Sequence, residues 1–143
     1  MRGALVRDAG APAVQSRRVR AREVAIFDCA AGEREDVASF RTNETNRGES
    51  RVAVGGERQV RTRPLAAMID EAAAPAIDAM KIDIEGGESA ALRGLFTSAG
   101  PRYRPALIIM ELSHSSGEAE ALLAAEGYRE ILRTRRNGVF ARS

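Results

Sequence analysis

One stretch constrains the fold more than any other, because it passes from alternating apolar residues through acidic residues to a pair of glycines. Apolar and polar residues alternate over residues 80–84, which predicts a short strand with its period of two. Gly86 and Gly87 interrupt the extended chain, and residues 88–96 continue with apolar side chains at helical spacing. A strand, a glycine turn and a helix in this order predict the βα unit of a parallel sheet.

Two acidic residues, Asp83 and Glu85, lie where this predicted strand ends. Parallel α/β sheets bind their ligands beyond the carboxyl ends of the strands. Because Asp83 and Glu85 are two residues apart, an extended backbone points both side chains to the same face. Two carboxylates that close repel each other unless a cation or hydrogen-bond donors compensate. The pair is therefore a candidate ligand site, and the structural alternative is helix capping with a salt bridge to an arginine.

The same stretch resembles the signature of FkbM-type methyltransferases, which use S-adenosylmethionine. The residues that carry the resemblance are 81–86, Glu88, Leu92, Arg93 and Gly94. Val60 and residues 64–70 are similar to the family's lead-in to this strand, and residues 104–111 and the pair Gly127–Tyr128 are similar to its later strands. The similarity extends from about Val24 to the C-terminus. It implies a Rossmann-like class I methyltransferase fold, with a mainly parallel α/β sheet and a C-terminal antiparallel hairpin.

Methyl transfer to a hydroxyl oxygen of a small molecule or sugar, the expected reaction, requires a base. Three side chains at one edge of the predicted sheet could serve as the catalytic group: Asp83, Glu85 and His114. The resemblance implies that the turn at residues 30–32 lies near the adenine of S-adenosylmethionine. The predicted cofactor-binding residues are Ala30, Ala31 and Asp83, and the predicted substrate-binding residues are Glu85, Gly86 and Glu111. A magnesium ion held by the acidic cluster is conceivable, but we expect no metal.

The chain departs from the family pattern before Val24, where no strand is followed by a turn of G-x-G type. In the family's strand order, the two missing strands lie between the strand at Val24 and the strand at residues 76–84. We therefore expect a partial methyltransferase domain at residues 24–143, after an Arg-rich helix or loop at residues 1–23. One alternative hypothesis is a non-catalytic fragment or interaction module that self-associates through open sheet edges. Another is a metal-dependent hydrolase.

The remaining elements follow from periodicity and from turn residues. We predict strands at residues 24–27, 36–42, 50–54, 76–84 and 106–110, a further short strand around Val60, and helices at residues 64–75, 89–97 and 117–126. The pair Asn137–Gly138 predicts the turn of a hairpin between residues 128–134 and 139–142.

Composition excludes several classes of function. The chain has one cysteine and one histidine, which excludes an internal disulfide and a zinc finger. A net charge of +2 argues against nucleic-acid binding by bulk electrostatics. No apolar run reaches the roughly 20 residues of a membrane helix, and no export signal is recognisable, so we expect a cytoplasmic location. We interpret the single cysteine, Cys29, as a small buried hydrophobe beside a strand end.

Overall fold

Two four-stranded sheets and three helices form the part of the chain that the structure, a computed structural model, describes, namely residues 24–41, 51–52, 54–113 and 116–143. The predicted α/β class is confirmed in this part. Some predictions lie outside the described residues: the Arg-rich segment at residues 1–23, the polar segment at residues 43–48 that we interpret as a loop, and His114.

The first sheet is built from the N-terminal half of the described chain. Its strands are β1 (Ala30–Gly32), β2 (Asp36–Arg41), β3 (Arg51–Val52) and β4 (Arg58–Pro64), in the spatial order β1-β4-β2-β3. β1 runs parallel to β4, with Ala30 opposite Thr62, whereas β4 is antiparallel to β2 and β2 is antiparallel to β3. On one face, Ala38 of β2 lies opposite Val60 of β4, so small apolar side chains meet across the strands.

The second sheet carries the acidic residues of the candidate site. Its strands are β5 (Ala79–Ile82), β6 (Leu107–Glu111), β7 (Tyr128–Arg133) and β8 (Asn137–Arg142), in the spatial order β5-β6-β8-β7. β5 and β6 are parallel with Ile82 opposite Met110, and the β7–β8 hairpin closes the sheet antiparallel. The predicted C-terminal antiparallel hairpin is thereby confirmed. Ile108 and Met110 of the apolar run in β6 are fully buried.

The three helices are α1 (Leu65–Glu71), α2 (Glu88–Phe96) and α3 (Glu118–Ala125), and a short 3-10 turn spans Pro101–Tyr103. The apolar face of α2 is fully buried at Ala91, Leu92 and Leu95. Leu92 packs in one cluster with the side chains of the second sheet and α3: Ile82, Ile108, Met110, Leu123, Tyr128 and Phe140. No described helix has the length and apolar character that crossing a bilayer requires.

Glycine at position 94 lets α2 approach the first sheet closely. A Cβ atom added to Gly94 would lie 2.0 Å from the carbonyl oxygen of Gly32 and 3.1 Å from the Cα atom of Pro64. Gly32 ends β1 and Pro64 ends β4. Because α2 also packs on the second sheet through Leu92, this helix connects the two sheets.

The prediction of a mainly parallel sheet is wrong. Among the described strands, two pairings are parallel and four are antiparallel. β4 pairs antiparallel with β2 on one side and parallel with β1 on the other, which makes the first sheet mixed. Within the described chain, β1 and β5 both lie at sheet edges and no strand joins them.

The predicted strand at residues 24–27 is also wrong. These residues are in no strand, and the side chains of Val24 and Ile26 are largely exposed, at 62% and 79%. The strand begins at Ala30 instead, where the predicted turn was placed, because that is where the parallel partner β4 is available. An apolar run without a pairing partner does not form a strand.

The hairpin turn lies three residues earlier than the Asn137–Gly138 signal predicts. The turn comprises residues 134–136, closed by a hydrogen bond of 2.8 Å from the N–H of Thr134 to the carbonyl of Asn137. Gly138 is instead a buried residue of β8, where an added Cβ atom would lie 2.6 Å from the ring of Phe140. Close packing, not turn geometry, requires this glycine.

The substitution Gly94→Ala tests the contact between α2 and the first sheet. Helix propensity alone would stabilise the protein by about 1 kcal/mol. Because the added methyl group meets backbone atoms of Gly32, we expect the free energy of unfolding to fall by about 1–3 kcal/mol instead. Denaturant unfolding measures the change, and Ala124→Gly at an exposed position of α3 calibrates the propensity contribution. A stabilised Gly94→Ala protein would contradict the packing described.

Candidate functional site

The parallel pairing of β5 with β6 brings three acidic side chains to one sheet edge. Asp83 and Glu85 follow β5, and Glu111 is the last residue of β6. Oxygen atoms of the three carboxylates all lie within 4.8 Å of one another. The sequence predicts that the first two residues lie together, and the structure brings Glu111 to them because Ile82 and Met110 are opposite each other in the register.

Lys81 supplies the cation that this acidic cluster requires. It is the single lysine of the chain, and its ammonium group donates a hydrogen bond to the carboxylate of Asp83. Both side chains are about half exposed, so the ion pair contributes at most about 1 kcal/mol to stability. The expected arginine partner is thus replaced by a lysine two residues earlier on the same strand face.

The pKa of the Asp83 carboxyl is lowered from its ordinary value. The largest cause is the hydrogen bond from Lys81, and the second is a hydrogen bond with Glu111. A carboxylate with a lowered pKa stays ionised at neutral pH and is a weak proton acceptor. Asp83 is therefore suited to holding a cation or a hydroxyl group rather than to removing a proton.

A strained turn follows β5 and carries Glu85. Glu85 has a φ of 53°, in the left-handed region that a residue with a Cβ atom rarely adopts, and Gly86 has a φ of 93°. The turn ends at Gly87, directly before the first residue of α2. Positive φ at a non-glycine residue persists where surrounding contacts impose it, and such positions cluster at functional sites.

A cavity of about 750 Å³ lies between the first sheet and this turn. One wall is the segment 27–34, which includes β1, and the opposite wall is the segment 83–87 with Ala90. The predicted cofactor-binding residues Ala30, Ala31 and Asp83 all line the cavity, as do Glu85 and Gly86. Glu111 is not part of the lining, although it lies beside Asp83. This volume is within the range of roughly 300–1,000 Å³ for small-molecule sites.

The third wall of the cavity was missed by sequence reasoning. It comes from the face of the first sheet that carries Ala38, Phe40 and Val60. The signal is the alternation within residues 36–40, which puts every second side chain on one face. The pairing of β2 with β4 that completes this wall connects residues about 20 positions apart, and local periodicity does not reveal it.

The charges of the cavity lining are predominantly negative. The lining contains one arginine, Arg34, and five acidic residues: Asp28, Glu33, Asp36, Asp83 and Glu85. Arg34 is itself paired with Asp36, with 3.4 Å between Nε and Oδ2. An acidic lining of this kind favours a ligand that carries positive charge or several hydroxyl groups. Cys29 is half-buried and lines the cavity as well.

The three carboxylates also have the oxygen atoms that a hard divalent cation prefers. The Lys81 ammonium group already compensates the charge of Asp83. His114, a predicted base, lies outside the described residues.

Comparison with known proteins identifies one family. The sequence model described as the Methyltransferase FkbM domain matches residues 21–134, which is most of the 143-residue chain. Neither a search of the curated proteins nor a search of the solved structures gives a match. The matched region contains all three walls of the cavity and all three acidic residues of the cluster.

The substitution Lys81→Met tests the electrostatics of the cluster. Because the Lys81 hydrogen bond is the largest cause of the lowered pKa of Asp83, we expect that pKa to rise in the variant. The stabilisation that the pair provides is present above the ordinary aspartate pKa of 3.8 and is lost as pH falls through the lower folded value. Lys81→Arg, which keeps the cation, is the control. A carbon-13 NMR titration that gives the same Asp83 pKa in both variants would contradict the assignment.

Proposed function

The chain belongs to the FkbM methyltransferase family, and we propose that it transfers the methyl group of S-adenosylmethionine to an oxygen atom of a small molecule or sugar. The observation that carries the proposal is the cavity of about 750 Å³ that lies between β1 and the acidic residues after β5. Its location beyond the carboxyl end of a parallel strand is typical of ligand sites in α/β proteins. We further propose that the two mixed sheets belong to the Rossmann-like class.

The residues of the cavity fit this cofactor chemically. An adenine ring requires apolar walls with little side-chain bulk, which Ala30 and Ala31 provide on β1. Ribose hydroxyls require an ionised hydrogen-bond acceptor, and a sulfonium group is a cation that an acidic lining attracts. Asp83 meets both requirements, because its lowered pKa keeps it ionised. The bound cofactor would supply an electrophilic methyl group.

We assign the base to Glu85 rather than to Asp83 among the described residues. Both carboxylates line the cavity, but the Lys81 hydrogen bond weakens Asp83 as a proton acceptor. Glu85 lies on the turn, two residues nearer to α2, and would accept the proton of the acceptor hydroxyl. His114 follows β6 in the chain and stays a candidate for the same role.

Substrate binding is assigned to the edge of the cavity where the turn approaches β6. Glu111 lies within the acidic cluster, and its Oε1 accepts a hydrogen bond of 2.9 Å from the hydroxyl of Ser113. Glu85 and the backbone of Gly86 lie on the cavity side of the same edge. Carboxylates accept hydrogen bonds from hydroxyl groups, so this arrangement supports a polyhydroxylated acceptor such as a sugar.

One observation favours a second candidate function, that of a non-catalytic interaction module. Within the described chain, β1 and β5 are edge strands, and an exposed edge is a template for pairing with another chain. Self-association through these edges is the expected behaviour of such a module. Sedimentation measures the self-association that the module predicts, and titration calorimetry measures the binding of S-adenosylmethionine that the enzyme predicts, so the two measurements together separate the candidates.

The substitution Asp83→Asn tests the cofactor site, with Asp78→Asn as the matched control before the other end of β5. Loss of a charge-assisted hydrogen bond weakens binding by about 1.5–3 kcal/mol, or roughly 10- to 100-fold in Kd. We expect this loss for Asp83→Asn, with the fold retained, and a Kd within about twofold of wild type for the exposed Asp78→Asn. Isothermal titration calorimetry with S-adenosylmethionine makes the comparison.

Two results would contradict the proposal in different ways. If Asp83→Asn binds as tightly as wild type, the assignment of Asp83 is wrong. If the wild-type protein itself binds no S-adenosylmethionine, the proposed cofactor is wrong and the interaction module is favoured.

A further inference from the structure

Glu88, the first residue of α2, is the one buried charged residue among those that the structure describes, with 5% of its surface exposed. Removing a carboxylate from water is unfavourable unless hydrogen-bond donors replace the water. The N-terminal end of a helix also favours a negative charge. Neither consideration explains why a glutamate, rather than an apolar residue, fills this buried position.

A hydrogen bond between Glu88 and the turn before α2 explains why a glutamate is buried here. Its Oε1 accepts a hydrogen bond of 3.1 Å from the backbone N–H of Gly86, two residues earlier. That N–H belongs to the peptide unit between Glu85 and Gly86. Holding its direction constrains the ψ angle of Glu85 and the φ angle of Gly86, which are the torsions on either side of the peptide.

The constraint acts where the backbone is strained. Glu85 and Gly86 have φ values of 53° and 93°, and a residue with a Cβ atom adopts the first value at a cost in free energy. Added Cβ atoms at Gly86 would meet nothing within 4 Å, so side-chain packing does not impose the turn at that residue. The hydrogen bond to Glu88 acts on this peptide directly and opposes its rotation.

We propose that Glu88 is a positioning residue, which holds the turn at residues 85–87 so that Glu85 lines the cavity opposite β1. The inference rests on the proposed function for the identity of the ligand, but the geometry of the turn is independent of it. Glu118 provides the comparison, because it occupies the same position in α3 yet is half exposed and pairs with Arg93.

Two substitutions with side chains of similar size show whether Glu88 positions the turn through its hydrogen bond or only fills a buried space. Glu88→Gln keeps an oxygen that can accept the N–H of Gly86, whereas Glu88→Met fills the buried space without an acceptor. Glu118→Gln is the control on the other helix. The first readout needs no ligand: it is the exchange rate of the Gly86 amide hydrogen, measured by NMR. The second readout is the Kd for S-adenosylmethionine.

We expect Gly86 exchange to be about tenfold faster in Glu88→Met, and the Kd to rise about tenfold, because the hydrogen bond is lost. In Glu88→Gln both quantities should stay within about threefold of wild type, and Glu118→Gln should change neither. Unchanged exchange in Glu88→Met would overturn the proposal, as would faster exchange without a change in Kd. So would a Glu88→Met protein that fails to fold beside a folded Glu88→Gln protein, since the role is then structural.

Failure of the proposed function gives a different pattern. If the wild-type protein binds no S-adenosylmethionine, the exchange rate of the Gly86 amide is the test of the positioning role. Faster exchange in Glu88→Met would then support that role, and unchanged exchange would overturn it.

Discussion

The packing of α2 against both sheets is the constraint on which the rest of the structure depends. Leu92 packs with Ile82 and Met110 of the second sheet, while the missing Cβ atom of Gly94 allows contact with Gly32 of the first. The two sheets share no strand pairing in the described chain. Because α2 contacts β1 and directly follows the turn after β5, a residue larger than glycine at position 94 would change the separation of these two walls of the cavity.

The electrostatics of the site follow from the register of β5 and β6. Because these strands are parallel and end together, Asp83 and Glu111 meet at one edge, and Lys81 is on the same side of β5 as Asp83. The lysine donates a hydrogen bond to Asp83 and lowers the pKa of that carboxyl. In the proposed mechanism Asp83 holds the ligand and Glu85 accepts the proton, so the ion pair with Lys81 would give similar groups different roles.

The unit of β5, turn and α2 could be predicted from sequence because its signals are local. Alternation ends at Asp83, two glycines follow, and helical spacing resumes, so each residue indicates its own conformation. Predictions failed where pairing between distant segments determines which residues form a strand. The apolar run at 24–27 pairs with no described strand and leaves Val24 and Ile26 exposed, whereas the less apolar residues of β1 pair with β4. The wall formed by β2 and β4 escaped prediction for the same reason, and so did the buried role of Gly138.

The most direct test of the account is an NMR titration of nitrogen-15-labelled protein with S-adenosylhomocysteine, the demethylated cofactor. If the ligand binds between β1 and the acidic turn, the backbone amide signals of Ala30, Ala31 and Gly86 will shift together with a single affinity, while those of the β7–β8 hairpin will not. Shifts confined to residues outside the cavity, or no shifts at millimolar ligand, would contradict the central claim that this cavity is the cofactor site.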